Sequence, residues 1–135
     1  MTLQVEVVSP ETITYSGEAD TVVCRTVGGG DLAFQTGHVP MIGVLQIWEA
    51  KVVGADGTDV FAVHQGFVQC ANGKVTILSD VSEQQEHIDV PRAQAALERA
   101  NQALAANADD EDAVAAKRRA EVRLSVASGG TASGH

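Results

Sequence analysis

Apolar and polar residues alternate along the first 80 residues, and turn-forming residues interrupt this alternation at short intervals. Within residues 3–8 every second residue is a large aliphatic, which is the period-two pattern of a half-buried strand. Two β-branched runs follow, over residues 12–15 and 19–27, with Ser16-Gly17 between them. The pattern predicts short strands, and Ser16-Gly17 is predicted to separate two of them.

Two tight turns are predicted further along this β-rich part. Ala55-Asp56-Gly57 separates two apolar runs, and Asn72-Gly73 lies between residues 67–71 and 74–78. Asn-Gly is the strongest short-range hairpin signal because both residues readily adopt positive φ angles. Strands at this spacing, with no helical period between them, predict an antiparallel β-sandwich or flattened barrel.

The period of the apolar residues changes from two to seven near residue 90. Val90, Leu97 and Leu104 recur along one face, and alanines fill the same side. Asp89 suits the N-cap of this helix, and residues 107–112 break the pattern and restart it. The sequence predicts an α+β protein with a β-sandwich over residues 1–86, a two-helix hairpin over 87–127 and a disordered tail over 128–135. Because alanine dominates the contact face of the hairpin, we expect its packing to contribute little stability.

Charge and cysteine content exclude several classes of function. The net charge is −9, from 18 acidic and 9 basic residues, which argues against a nucleic-acid-binding surface and against membrane insertion through a basic helix. No apolar run approaches the roughly 20 residues that span a bilayer, and the first residues lack the pattern of a signal peptide. Cys24 and Cys70 lie in strand-like segments and are expected to be reduced and buried. The four histidines show no metal-ligand spacing, so no metal site is predicted.

Charged residues gather where the sandwich gives way to the helices. Asp89 lies beside Arg92, and Arg99 follows one heptad later on the same helix face. A hydrogen-bond acceptor beside a row of guanidinium groups suits a nucleotide, and it equally suits salt bridges within the protein.

Several segments resemble the epsilon subunit of F-type ATP synthases, which is called delta in mitochondria. The similarity covers residues 3–127, with Ala33 standing where the family usually has glycine. The segments that carry it are Val7–Glu11, Tyr15–Ala19, Gly30-Asp31-Leu32, Gly37-His38-Val39-Pro40, His64-Gln65-Gly66-Phe67-Val68, Val75–Leu78, Ile88–Ala93 and Arg123–Val126.

This resemblance implies a central-stalk subunit that binds the gamma subunit and the ring of c subunits through its sandwich. The residues implied to contact these partners are Asp31, Leu32, Phe34, His38 and Met41. Considered without the family, Asp31 is equally a solvated turn residue and His38 a hydrogen-bonded corner residue. An exposed ion pair contributes only about 0–1 kcal/mol, so attachment is expected to come from the apolar residues of this set.

The resemblance also implies a regulatory ATP site at the junction of sandwich and hairpin, with no cofactor required otherwise. Its candidate residues are Glu83, Ile88, Asp89, Arg92, Ala93, Arg119 and Arg123. The alternative is that the arginines pair with Asp89, Glu98 and Glu121 inside the hairpin.

In this interpretation the chain is a non-catalytic rotor subunit in proton-driven ATP synthesis, peripheral to the cytoplasmic face of a bacterial plasma membrane. Its helices regulate ATP hydrolysis by extending into the catalytic alpha/beta head. The alternatives are a freestanding ATP-sensing module and an adaptor whose helices bind a partner groove.

Overall fold

The computed structural model describes residues 2–10, 12–28 and 30–129. In these residues the strands precede the helices, as predicted. The elements are β1 (Leu3–Ser9), β2 (Thr12–Ala19), β3 (Thr21–Thr26), β4 (Gly30–Gln35), β5 (Met41–Gly54), β6 (Gly57–Ala71), β7 (Lys74–Leu78), β8 (Ser82–Gln84), a 3₁₀ turn (Gln85–His87), α1 (Val90–Ala106) and α2 (Glu111–Ala127).

All described strands belong to one sheet, in the order β2-β1-β7-β6-β5-β3-β4, with β8 also pairing with β6. The first half of β6 pairs with β8 and its second half with β7. The two halves of the sheet face each other, since the Tyr15 ring of β2 meets the Phe61 ring of β6 edge-on, 5.4 Å between centroids. The α+β fold class is confirmed, with one addition: β1 and β7 run parallel, whereas the other pairs are antiparallel.

Local turn signals determined two of the hairpins. Asn72 and Gly73 have φ angles of 53° and 75°, and Ala71 pairs directly with Lys74 across them. Gly54 pairs with Gly57 across the other predicted turn. The predicted separation of two strands at Ser16-Gly17 is wrong, because β2 continues through both residues as the partner of β1.

A bulge in β6 marks the point where this strand changes partner from β8 to β7. Gln65 and Gly66 there have φ angles of 72° and 142°. The buried Ser79 hydroxyl donates to the Gln65 carbonyl at 2.5 Å. A Cβ atom on Gly66 would lie 2.0 Å from the Leu78 carbonyl oxygen, so the bulge requires glycine.

Both helices begin at aspartate N-caps, and α2 lies between α1 and the sheet. The Asp89 carboxylate accepts from the Arg92 amide at 3.1 Å, and Asp110 accepts from Ala113 at 3.0 Å. α2 lies on β5 and β6, whereas α1 packs chiefly on α2. The helix–sheet contact is a second apolar cluster, separate from the sandwich core, formed by Ile47, Val60, Ala62, Ile88, Val122 and Val126.

The helix–helix contact is built from alanines. The buried residues of α1 are Ala93 and Ala100, and the buried residues of α2 include Ala113 and Ala120. Of the predicted tail 128–135, residues 130–135 lie outside the described residues, and Ser128 caps the end of α2. Neither described helix is long and apolar enough to cross a membrane.

Candidate functional site

A cleft of about 320 Å³ lies where β8, the 3₁₀ turn and both helices meet. The elements place it there because β8 docks on β6 and α2 returns antiparallel to α1. Its lining residues are Glu83, His87, Asp89, Arg92, Ala93, Ala96, Arg99 and Arg123.

Five of the seven predicted nucleotide-site residues line this cleft together: Glu83, Asp89, Arg92, Ala93 and Arg123. The other two, Ile88 and Arg119, are not among its lining residues. Ile88 is 8% exposed and belongs to the helix–sheet cluster, so its side chain packs away from the cleft. Arg119 lies one turn before Arg123 on α2, while Arg99 of α1 occupies the cleft instead.

The arginines on α1 do not form the predicted alternative salt bridges. Neither the Arg92 nor the Arg99 guanidinium has an ion-pair partner among the residues that the structure describes. Within the described residues the Asp89 carboxylate accepts from the backbone amide of Arg92, and the Glu98 carboxylate accepts from Gln102 at 3.4 Å. Two guanidinium groups without ion-pair partners in the described residues therefore line one cleft. Phosphate groups bind such guanidinium groups through paired hydrogen bonds.

Glu83 is the acid at the cleft whose pKa is strongly lowered. Its Oε1 atom lies 2.6 Å from Arg123 Nε and 3.0 Å from His64 Nε2. The hydrogen bond with His64 is the largest cause that lowers the pKa of Glu83, and Arg123 adds to it against desolvation, which raises it. The resulting pKa is about 2, so Glu83 is an anion across the physiological range.

His64 is a residue of this site that sequence reasoning missed. Its side chain is 3% exposed, and its Nδ1 atom is buried with no hydrogen-bond partner among the residues that the structure describes. A polar residue at a core-facing position of an apolar strand was the available signal, because a buried imidazole usually serves a hydrogen-bonding partner.

The structure corrects one of the predicted partner-contact residues. Phe34 is 0% exposed in the sandwich core and is not accessible to another protein. His38 packs against its ring at 4.8 Å, and its Nδ1 atom lies 2.7 Å from the Val39 carbonyl oxygen. Leu32 and Met41 are partly buried against the same core.

Asp31 lies on β4 and forms an ion pair across the sheet. The Arg25 guanidinium contacts both Asp31 oxygens, at 2.9 and 3.3 Å. The same guanidinium lies 3.9 Å from the centroid of the Trp48 ring. Asp31 is therefore an exposed residue of β4 that is paired with Arg25, and not the turn residue of the alternative interpretation.

An exposed apolar row crosses the outer face of the sheet, and sequence reasoning also missed it. Its members are direct neighbours in the strand register: Ile13 and Leu78 both pair with Val8, Leu78 pairs with Phe67, and Phe67 pairs with Val44. Ile13, Phe67 and Val44 are each at least half exposed. We call these five residues the apolar row. A contiguous exposed patch of this kind is typical of a protein–protein contact.

Comparison with known proteins identifies the family. Residues 2–85 match the model of the ATP synthase delta/epsilon chain, beta-sandwich domain. The chain belongs to this family. It is 42% identical to the ATP synthase epsilon chain of Streptomyces griseus over 123 residues, which cover 90% of this chain and 92% of that one. Against the epsilon chain of Shouchella clausii it is 38% identical over 127 residues, covering 93% and 95%.

Solved structures with the same fold include chains from two mitochondrial ATP synthases. One is a chain of the Euglena gracilis mitochondrial ATP synthase (OSCP/F1/c-ring), with TM-score 0.69, 20% identity, and 99% of this chain and 82% of that chain covered. Another belongs to the central stalk/c-ring of the Tetrahymena thermophila mitochondrial enzyme, with TM-score 0.51, 16% identity, and 65% and 70% covered. The first alignment covers sandwich and hairpin alike, so the whole fold is shared.

Proposed function

We propose that this delta/epsilon-family chain is a central-stalk rotor subunit that couples the gamma subunit to the c ring, and that its hairpin senses ATP. The coupling role rests on the family and on epsilon-chain relatives that match nearly the whole chain. The sensing role rests on one observation: the guanidinium groups of Arg92, Arg99 and Arg123 meet in one cleft, two of them without ion-pair partners in the described residues.

The three arginines are assigned to the phosphates of ATP, because a guanidinium binds a phosphate through two parallel hydrogen bonds. Asp89 and Glu83 are the acceptors for the adenine amino group or the ribose hydroxyls. The described lining residues include no hydroxyl or thiol nucleophile. Binding without turnover is therefore the proposed activity, and ATP hydrolysis is assigned to the partner subunits.

Bound ATP would connect three parts of the molecule, since the lining residues come from the sandwich, α1 and α2. A ligand at a hundredfold excess over its Kd stabilises the state that binds it by about 2.7 kcal/mol. The alanine-lined hairpin is the part that such a contribution affects most. When ATP is scarce, the hairpin extends into the catalytic alpha/beta head and blocks rotation, and ATP shifts the population back to the docked state.

The apolar row is the proposed contact with gamma, and the loop around His38 and Met41 adjoins it towards the c ring. Both Met41 and Val44 lie at the start of β5, which connects the two regions. Through these contacts the chain is held peripherally at the cytoplasmic face of the membrane.

Calorimetric titration of the full chain with ATP tests the sensing role. We expect saturable heat and a raised Tm at millimolar ATP, with a weaker response to inorganic phosphate. No heat and no thermal shift at millimolar ATP would remove the sensor function.

Co-purification with recombinant gamma tests the coupling role separately. Retention by immobilised gamma is the expected result. ATP binding without retention by gamma or the ring would favour a freestanding ATP-sensing module, and the absence of both would favour a general adaptor.

A further inference from the structure

A hydrogen-bonded chain of three residues runs from the interior of the sandwich to the cleft. It begins at His64 in β6, passes through Glu83 in β8 and ends at Arg123 in α2. Its two hydrogen bonds join three elements that are distant in sequence: 19 residues separate His64 from Glu83, and 40 separate Glu83 from Arg123.

Both donors converge on the same oxygen of Glu83. His64 Nε2 and Arg123 Nε each contact Oε1, and Oε2 has no recorded partner in the described part of the chain. A carboxylate held through one oxygen presents the other at a fixed place. Here that second oxygen belongs to a side chain that is 27% exposed at the edge of the cleft.

The position of His64 suits a supporting role better than a packing role. The side chain of His64 is 3% exposed, yet within the described ranges only one of its ring nitrogens, Nε2, has a hydrogen-bond partner. An apolar residue of similar shape would avoid leaving Nδ1 buried and unpaired, which costs free energy. The hydrogen bond to Glu83 is therefore the contact that explains a histidine at this position.

We propose that His64 is a positioning residue for the nucleotide cleft: it fixes Glu83 so that Oε1 holds Arg123 in the ligand-free molecule and Oε2 is presented to the ligand. This inference rests on the proposed ATP site. Glu83 contacts Arg123 through Nε, which leaves the Nη groups of the guanidinium for the phosphates of ATP. Without His64 the carboxylate is held by Arg123 alone, so the direction of Oε2 and the alignment of Arg123 are less well fixed.

Three substitutions at His64 separate positioning from packing. His64→Phe keeps the ring shape and removes the donor, His64→Gln keeps a donor at the Nε2 position, and His64→Asn keeps a polar group that stops short of Glu83. Ser82→Ala is the matched control, because Ser82 precedes Glu83 in β8 and its hydroxyl is also buried with no partner in the described part of the chain. Each full-length variant is titrated with ATP by calorimetry, and the Glu83 carboxyl is titrated with acid by carbon NMR.

We expect His64→Phe and His64→Asn to weaken ATP binding about tenfold, the equivalent of one hydrogen bond to a charged group. In the same variants the pKa of Glu83 should rise by more than about one pH unit, because the largest cause of its depression is removed. His64→Gln and Ser82→Ala should match the wild type in both measurements.

A Glu83 pKa that stays near 2 in His64→Phe and His64→Asn would overturn the proposal, whatever happens to ATP affinity. Equal loss of affinity in all three His64 variants would also overturn it, because that pattern indicates a packing role. Should His64→Phe fail to fold, the comparison of His64→Gln with His64→Asn decides. If the wild type gives no heat with ATP, the proposed ATP site fails, while the Glu83 titration still tests the role of His64.

Discussion

Glu83 and Arg123, 40 residues apart in the chain, meet through an Oε1–Nε contact of 2.6 Å. Glu83 belongs to β8 of the sandwich and Arg123 to α2, so this pair is a polar connection between the platform and the helical hairpin. Glu83 contacts Arg123 through Nε, and the proposed ligand would bind the Nη groups of the same guanidinium, so the pair and the ligand use Arg123 together. The contact that docks the empty hairpin is thus part of the site that would respond to ATP.

The Glu83 contact predicts that acid destabilises the protein over a defined range. The folded state lowers the pKa of Glu83 from 4.5 to about 2, so it favours the carboxylate. Stability from this group is fully present above about pH 4.5 and is lost as the pH falls from there towards 2. Glu83→Gln should remove this part of the pH dependence, whereas Glu86→Gln, at an exposed carboxylate of the 3₁₀ turn, should keep it. Urea unfolding at pH 2–6, followed by Trp48 fluorescence, measures the unfolding free energy at each pH. The same dependence of this free energy on pH in both variants would contradict the prediction.

The arginines of the two helices predict a contrast between Arg99, which lines the cleft, and Arg119, which does not. Arg99→Ala should weaken ATP binding by about tenfold or more, because it removes a charge-assisted contact from the lining. Arg119→Ala, which the sequence pattern placed in the site and the structure places outside its lining, should leave the affinity unchanged. Calorimetry on both variants checks this. A loss at Arg119 equal to that at Arg99 would mean that the hairpin binds ATP in another arrangement.

The bulge in β6 predicts that Gly66 tolerates no side chain. Gly66→Ala places a Cβ atom 2.0 Å from the Leu78 carbonyl oxygen at a φ of 142°. Gly57 is the matched control, since its φ is 138° and a Cβ atom there would meet nothing within 4 Å. The loss of unfolding free energy at Gly66 should exceed that at Gly57 by about 2 kcal/mol or more, because overpacking adds to backbone strain. Chemical denaturation measures both, and equal losses would show that crowding at Leu78 is relieved by movement of the backbone.

The apolar row predicts which substitutions abolish binding to gamma. Phe67→Ser should strongly reduce retention by immobilised gamma, because it removes the largest side chain of the row and leaves its polar replacement to be desolvated. Since Phe67 is 52% exposed, the stability of the isolated chain should change little. Val114→Ser tests specificity, because Val114 is similarly exposed but lies on α2. Normal retention of Phe67→Ser would exclude the row as the gamma contact.

Because α1 reaches the sheet chiefly through α2, we expect α1 to be less protected from amide hydrogen exchange than α2. It contacts chiefly α2 and buries only Ala93 and Ala100 fully, whereas α2 adds Val122 and Val126 against the sheet. Amide hydrogen exchange in α1 should therefore be faster than in β5 and β6, and millimolar ATP should slow it. Protection of α1 equal to that of the strands in the nucleotide-free chain would contradict a hairpin that switches.

Much of this molecule follows from the sequence because the deciding interactions are local. Asn72-Gly73 specifies a turn through its own φ angles, and Asp89 specifies a helix start through an amide only three residues away. The change from period two to period seven marks the junction of sheet and helix without knowledge of either partner surface. Family motifs added the expectation that Glu83, Asp89, Arg92 and Arg123 come together, and the described cleft contains them all.

Tertiary structure decided the features that depend on distant partners. Parallel pairing of β1 with β7, burial of Phe34 and the presence of Arg99 in place of Arg119 all depend on how separate elements face each other. The support of Glu83 by His64 likewise spans two strands. A sequence pattern gives the side of a strand or helix on which a residue lies, but packing determines what lies opposite, because burial and long-range hydrogen bonds are properties of two surfaces together.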